Sequence, residues 1–238
     1  LISHIYNNDS ESGALSPFDG PQEDAASRSP HFASGVIRGF RKQADAFGFK
    51  GEIHWNEWGR SWLPSDPVRE TPVEAAFVVK TMAEVSDQAD AFAYWCLSDI
   101  YDQVGYGRET FHGNYGMLNL QGLRKPAWFA HMMLNRLATD RLVVSSNDAE
   151  NVAGAIATRD NGRIEVLVYS LHEVEGTHIQ FALPEGYKVS ETITVDATHH
   201  NVLEDWRKLG SPTYCSREQI NSLKQGNCLC ADVVLGPE

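Results

Sequence analysis

Glu57 lies in the segment Gly51-Glu52-Ile53-His54-Trp55-Asn56-Glu57-Trp58-Gly59, where a short β-like run ends in a carboxylate flanked by two tryptophans. These residue types suit the cleavage of a sugar acetal. A carboxylate meets the positive charge that develops at the anomeric carbon, and aromatic faces stack on the C–H faces of a pyranose. The plain alternative is a strand-end glutamate in a solvated loop beside two packed tryptophans.

Two more apolar runs end in groups of the same kind. Leu1 to Tyr6 delivers His4 and Tyr6, and Ala91 to Leu97 delivers Trp95, with Ser98, Asp99, Tyr101 and Asp102 following. In a parallel α/β architecture, functional side chains gather at the C-terminal ends of the strands. Three strand ends carrying sugar-gripping groups are therefore one candidate site rather than three coincidences.

The elements that must position these groups follow from apolar periodicity. Phe32 to Phe47 has helical spacing and stops at Gly48. Glu52 to Trp55 reads as the second strand. Thr71-Pro72 opens a helix to about Ser86, with Thr71 as N-cap and Glu74 as the third residue of a capping box. Ala91 to Leu97 is an almost wholly apolar third strand, the pattern of a strand covered on both faces. Lys125-Pro126 begins a helix to about Leu137, while Asn7 to Pro30 reads as a long polar loop. The order strand, helix, strand, helix, strand, helix predicts parallel α/β structure over residues 1–138.

From residue 139 to 238 the pattern changes. Arg163 to Tyr169, Thr177 to Leu183 and Lys188 to Asp196 alternate with period two, and Asp160-Asn161-Gly162 is a hairpin turn. This predicts an antiparallel β module, with helical pieces near Val202 to Leu209 and from the N-cap Ser216, paired with Gln219, to about Lys224.

A complete (β/α)₈ barrel takes about 250 residues, roughly 30 per unit, so residues 1–138 supply only about three or four units. Leu1 to Tyr6 reads as a strand already under way, and the chain is expected to start inside a larger protein.

Composition excludes several partners. The formal net charge of −12 argues against nucleic acid and anionic membrane, which need excess Lys and Arg. No apolar run approaches the roughly 20 residues that span a bilayer, so the chain reads as soluble, cytoplasmic or secreted. The cysteines Cys96, Cys215, Cys228 and Cys230 form no zinc-like tetrad, and neither metal nor cofactor is expected. Cys96 reads as a buried thiol; a disulfide among the other three stays open.

At the strand ends the chain resembles the C-terminal half of a glycoside hydrolase family 39 enzyme, on the bacterial β-xylosidase side. The matching segments are Ser3-His4-Ile5-Tyr6, the Glu57 segment with Ser61-Trp62 and Asp66-Pro67-Val68, and Ala93-Tyr94-Trp95-Cys96-Leu97-Ser98-Asp99. Phe111-His112-Gly113-Asn114-Tyr115-Gly116-Met117 follows, with Arg124-Lys125-Pro126-Ala127, Leu209-Gly210-Ser211-Pro212 and Arg217-Glu218-Gln219.

The resemblance implies strands six to eight of a (β/α)₈ TIM barrel followed by a β-sandwich, and a retaining exo-glycosidase that releases xylose. It makes Glu57 the nucleophile, puts His4, Tyr6 and Asn56 beside the bound sugar and makes Trp95 the floor of its subsite. Asp102-Gln103 stands where β-xylosidases carry two glutamates, so the contacts that select xylose are altered. Phe111 and His112 fall in the loop bordering the pocket. The general acid/base would lie on strand four, outside this chain, so the partners implied are a small carbohydrate and the missing N-terminal barrel half; a homo-oligomer is compatible. The alternatives are an α-L-arabinosidase or iduronidase of the same family, or a non-catalytic carbohydrate-binding fragment. Iduronate would need a basic pocket, for which only Arg60, Arg69 and Arg108 are near.

Overall fold

The computed structural model describes residues 1–8, 29–100, 107, 109–172, 179–180, 182, 185–226 and 233–234. Three parallel strands, β1 (Ile2–Tyr6), β2 (His54–Gly59) and β3 (Ala91–Tyr94), form one sheet in that order. Helices α1 (Phe32–Ala46), α2 (Pro72–Val85) and α3 (Pro126–Arg136) alternate with them. Ile5, Trp55 and Trp58 project from the sheet into a core with Phe32 and Ile37 of α1 and Phe77 and Val78 of α2.

The predicted helix boundaries hold to within a residue or two. Phe47 is an exception, because α1 ends at Ala46 and leaves Phe47 90% exposed. Gly48 adopts φ +71°, and its N–H donates to the Asp45 carbonyl, closing the helix in a conformation that glycine reaches without a Cβ clash.

Two local expectations are corrected. The predicted strand Glu52 to Trp55 is instead His54–Gly59, because Trp58 and Gly59 pair with Ile5 and Tyr6. Glu57 therefore lies within the strand. The capping box at Thr71 does not form either: the Thr71 hydroxyl donates to the Val68 carbonyl, and Glu74 is fully buried, accepting from Tyr94 Oη at 2.9 Å and Arg60 Nε at 3.3 Å. Burial of Glu74 between the helix and β3 outweighs a surface cap.

The third strand is covered on one face only. Phe92 and Tyr94 face the helices, with ring centroids 6.3 and 5.6 Å from Trp58, whereas Ala91 and Ala93 are exposed.

Antiparallel strands β4 (Asp140–Leu142), β5 (Ala153–Asp160) and β6 (Arg163–Ser170) make a second sheet in sequence order. Asn161 and Gly162 join β5 to β6 with φ +47° and +82°, the two positive values a tight hairpin with the strand twist requires. Ile156 and Leu167 of this sheet enter the same core as α2. Within the predicted strand Lys188 to Asp196, only β7 (Glu191–Thr192) forms, paired with β8 (Val233–Val234). Most of Thr177 to Leu183 lies outside the described residues, as does nearly all of the expected loop from Asn7 to Pro30.

Helices α4 (Val202–Lys208) and α5 (Arg217–Gly226) build a second core of Val202, Leu203, Trp206 and Leu223 with Phe111 and Leu123. The predicted N-cap forms reciprocally: Ser216 N–H donates to Gln219 Oε1 at 2.8 Å, and Gln219 N–H to Ser216 Oγ at 3.2 Å. Cys96 and Cys215 are free, half-buried thiols; Cys228 and Cys230 lie outside the described residues. No helix among the described residues is long and apolar enough to cross a membrane.

Candidate active site

The parallel sheet has a helix face and an open face, and a bulge in β2 decides which side chains go where. Ser3 pairs with Trp55 but His4 with Glu57, so Asn56 is the extra residue of a β-bulge. The bulge lets both Trp55 and Trp58 enter the helix-side core, each 1% exposed, while Glu57 turns to the open face beside His4. The two tryptophans flanking Glu57 are consequently packing residues. Trp55 meets Phe40 edge-on at 5.4 Å and Trp58 lies 6.5 Å from Phe77, so neither offers a sugar platform.

Glu57 is gripped by the neighbouring strand. Tyr6 Oη donates to Oε1 at 2.8 Å, and His4 Nδ1 stands 3.5 Å from Oε2. The carboxylate side chain keeps 24% exposure, so it is held but reachable. Burial first, and then the Glu57 carboxylate it bonds, push the Tyr6 phenol well above its ordinary pKa. Tyr6 is accordingly a fixed, protonated donor. Gly59 matters here: a Cβ on it would come within 3.3 Å of the Tyr6 ring, so the missing side chain leaves that ring its place.

Trp95 follows β3 directly, and its N–H donates to the Trp58 carbonyl at 3.0 Å. Trp95 is half-buried, immediately past the last residue of β3. Asn56 is exposed on the bulge. The structure thus brings His4, Tyr6, Asn56, Glu57 and Trp95 to adjoining strands, whereas Asp102 and Gln103 lie outside the described residues.

Phe111 is a correction. It is 5% exposed, with its ring 5.4 Å from Trp206 in the second core, and has no free face for a sugar. Its neighbour His112 is half-buried, with Nδ1 3.2 Å from the Glu109 carbonyl.

A buried polar frame, only partly legible in the sequence, supports the loops beyond β2 and β3. Lys125, fully buried, places Nζ 2.8 Å from Asp99 and 3.1 Å from Glu70. The backbone N–H groups of Gly116 and Gly113 donate to Asp99 and Glu70, each at 2.7 Å. Two carboxylates share one ammonium, and burial raises the pKa of Glu70. Arg69, 2% exposed, donates to the carbonyls of Gly113, Ser61 and Leu63 and lies 4.2 Å from the centre of the Tyr115 ring. Arg60 pairs with Asp66 at 2.6 Å and Glu74 at 3.3 Å. Both arginines are therefore committed to the frame; Arg108 lies outside the described residues. The signal for Arg69 was its place two residues after Pro67, in a segment dense with polar side chains, but its burial follows from contacts up to 44 residues away.

Among the described residues no group of three His, Cys, Asp or Glu side chains could hold a metal ion. What the open face offers is a reachable carboxylate, a fixed phenol donor and an imidazole, with indole Trp95 one strand away.

Comparisons with known proteins identify the family. The sequence model for glycosyl hydrolases family 39 matches residues 2–232. A β-xylosidase of Caldicellulosiruptor saccharolyticus is 31% identical over 179 residues, which is 72% of this chain and 36% of that protein. One from Geobacillus stearothermophilus is 25% identical over 177 residues, 72% of this chain and 34% of its own. Among solved structures, a monomeric β-xylosidase from Caulobacter crescentus CB15 superposes with a TM-score of 0.71 at 25% identity, over 87% of this chain and 45% of that one. A second β-xylosidase structure from that organism gives 0.70 at 28% identity, over 86% and 44%. The chain spans about a third of the length of the curated relatives and under half of the solved ones. It belongs to glycosyl hydrolases family 39.

Proposed function

We propose that this chain supplies the C-terminal part of the catalytic (β/α)₈ barrel, with an appended β-sandwich from about residue 139, of a retaining exo-glycosidase that acts as a β-xylosidase. The observation that carries the reading is the Glu57 carboxylate held between Tyr6 and His4 on an open strand face. The exposed face of β3 and the edges of β1 and β3, unpaired among the described residues, fit a barrel closed by the portion of the relatives that this chain does not span.

In this mechanism a Glu57 carboxylate oxygen attacks C1 of the sugar while the glycosidic oxygen departs with a proton from a second carboxyl group about 5 to 5.5 Å away. That acid lies on the portion not spanned here. The glycosyl ester on Glu57 is then cleaved by water, which gives up a proton to the same group and restores the carboxylate. Tyr6 holds Glu57 in line, His4 and Asn56 reach sugar hydroxyls, and Trp95 floors the subsite. The commitment of Arg60 and Arg69 to internal partners disfavours a carboxylated substrate such as iduronate in this pocket.

The test is an activated 2-deoxy-2-fluoro xyloside on the full-length protein, followed by peptide mass analysis. Reaction on the peptide containing Glu57, with Glu57→Gln losing orders of magnitude in turnover, supports the assignment. Reaction on another carboxylate would remove Glu57 from the nucleophile role. Full turnover of an aryl β-xyloside by the 238-residue chain alone would place the acid within it and overturn the division of labour.

A further inference from the structure

A cleft of about 800 Å³ opens between α1, α2 and the antiparallel sheet and shares no lining residue with the Glu57 site. Its wall carries two guanidinium groups, Arg38 of α1 and Arg141 of β4, together with Tyr169, Asn151 and Ser146. Six other arginines, at positions 41, 60, 136, 159, 163 and 207, are paired with carboxylates. Arg38 and Arg141 have no carboxylate partner among the described residues. Arg141 donates to Ser86 Oγ at 3.0 Å and to the Ala83 carbonyl, and Arg38 is exposed on its helix. The one carboxylate in the wall, Glu84, is already neutralised, its Oε1 2.9 Å from the buried Lys80 Nζ and from His31 Nδ1. The wall itself therefore carries two guanidinium charges against one carboxylate, in a chain whose formal net charge is −12. Asp148, outside the wall but close enough to act on the Tyr169 phenol, is engaged by the N–H groups of Val152 and Ala153 and by His172.

The remaining lining is of the kind that meets a sugar. Tyr169 crosses Gly154 on the adjacent strand so closely that a Cβ there would stand 2.7 Å from the phenol oxygen, which leaves the half-buried ring along the cleft. An aromatic ring, an amide, a hydroxyl and two guanidinium groups without a carboxylate partner among the described residues together match a pyranose bearing a carboxylate. We propose that this cleft is a second saccharide site that binds a uronic acid residue, its carboxylate between Arg38 and Arg141 and its ring against Tyr169. The site binds without cleaving, and it does not depend on the role of Glu57.

Titration calorimetry on the full-length protein tests it with three probes: glucuronate, xylose and acetate. Glucuronate is expected to bind at least about tenfold more tightly than acetate and to weaken in high salt, with Arg38→Gln reducing its affinity by about tenfold or more and leaving xylose binding unchanged. Arg38 is exposed and unpaired among the described residues, so this variant keeps the fold, and Tyr169→Ala should give a comparable loss. Glu57→Gln should leave glucuronate binding unchanged, which separates this site from the candidate active site. Equal binding of glucuronate and acetate, xylose binding that Arg38→Gln weakens as much as glucuronate binding, an unaltered glucuronate affinity in Arg38→Gln, or no detectable glucuronate binding would each overturn the proposal.

Discussion

The Tyr6 hydroxyl donates to Glu57 Oε1 across 2.8 Å, from one parallel strand to the next. The two residues are 51 positions apart in the chain. The contact exists because the bulge at Asn56 turns Glu57 to the open face and because Gly59 leaves room for the Tyr6 ring.

Removing that donor should damage turnover without damaging the fold. Tyr6→Phe deletes only the oxygen, and a hydrogen bond to a charged group is worth about 1.5 to 3 kcal/mol, so the full-length protein should lose about ten- to a hundredfold in kcat. Kinetics on an aryl β-xyloside, with circular dichroism as the fold control, checks this. An unchanged kcat would mean that Tyr6 does not orient the reacting carboxylate.

Trp58 gives the opposite signature. Its side chain is buried against Phe77, Phe92 and Tyr94, so Trp58→Ala should cost about 3 to 5 kcal/mol by opening a cavity. Trp58→Phe should recover much of that loss in urea unfolding and keep activity. A sugar-stacking role would instead reveal itself as a KM defect in a fully stable protein.

The Lys125 cluster predicts a large stability loss on truncation. Lys125→Met leaves Glu70 and Asp99 buried with no cation at 3.1 and 2.8 Å, a change that costs about 3 to 5 kcal/mol where one partner of a buried pair is removed. Denaturant midpoints measure it, and a loss below about 1 kcal/mol would show that the carboxylates are relieved by other means.

The same cluster predicts a pH dependence. Burial raises the pKa of Glu70 above the 4.5 of an unfolded chain, so over the interval above 4.5 the folded protein holds a proton that the unfolded chain releases. This contribution to stability is full below pH 4.5 and is lost as pH rises through the folded pKa. Glu70→Gln lacks it. The stability of Glu70→Gln relative to the parent should therefore increase with pH above 4.5, with a slope of up to about 1.4 kcal/mol per pH unit. A difference that stays flat with pH would contradict a raised Glu70 pKa.

Much of this protein is written locally. Period 3.6 in Phe32 to Ala46, the Asn161-Gly162 turn and the Ser216-Gln219 cap depend on residues a few positions apart, so their physics is complete within one segment, and all three form as the pattern predicts. The polar and aromatic strand ends pointed to His4, Tyr6, Glu57 and Trp95 for the same reason. Tertiary structure decided the rest. Trp55 and Trp58 look like sugar platforms in sequence, yet a single-residue bulge against β1 sends both into the core. Glu74 occupies a capping position by spacing, yet Tyr94 and Arg60 bury it. Phe111 sits in a pocket-loop motif, yet packs against Trp206 from a helix 95 positions on. In each case the deciding partner lies on another strand or helix, and which face a side chain presents is set by packing and register between elements that no local window contains.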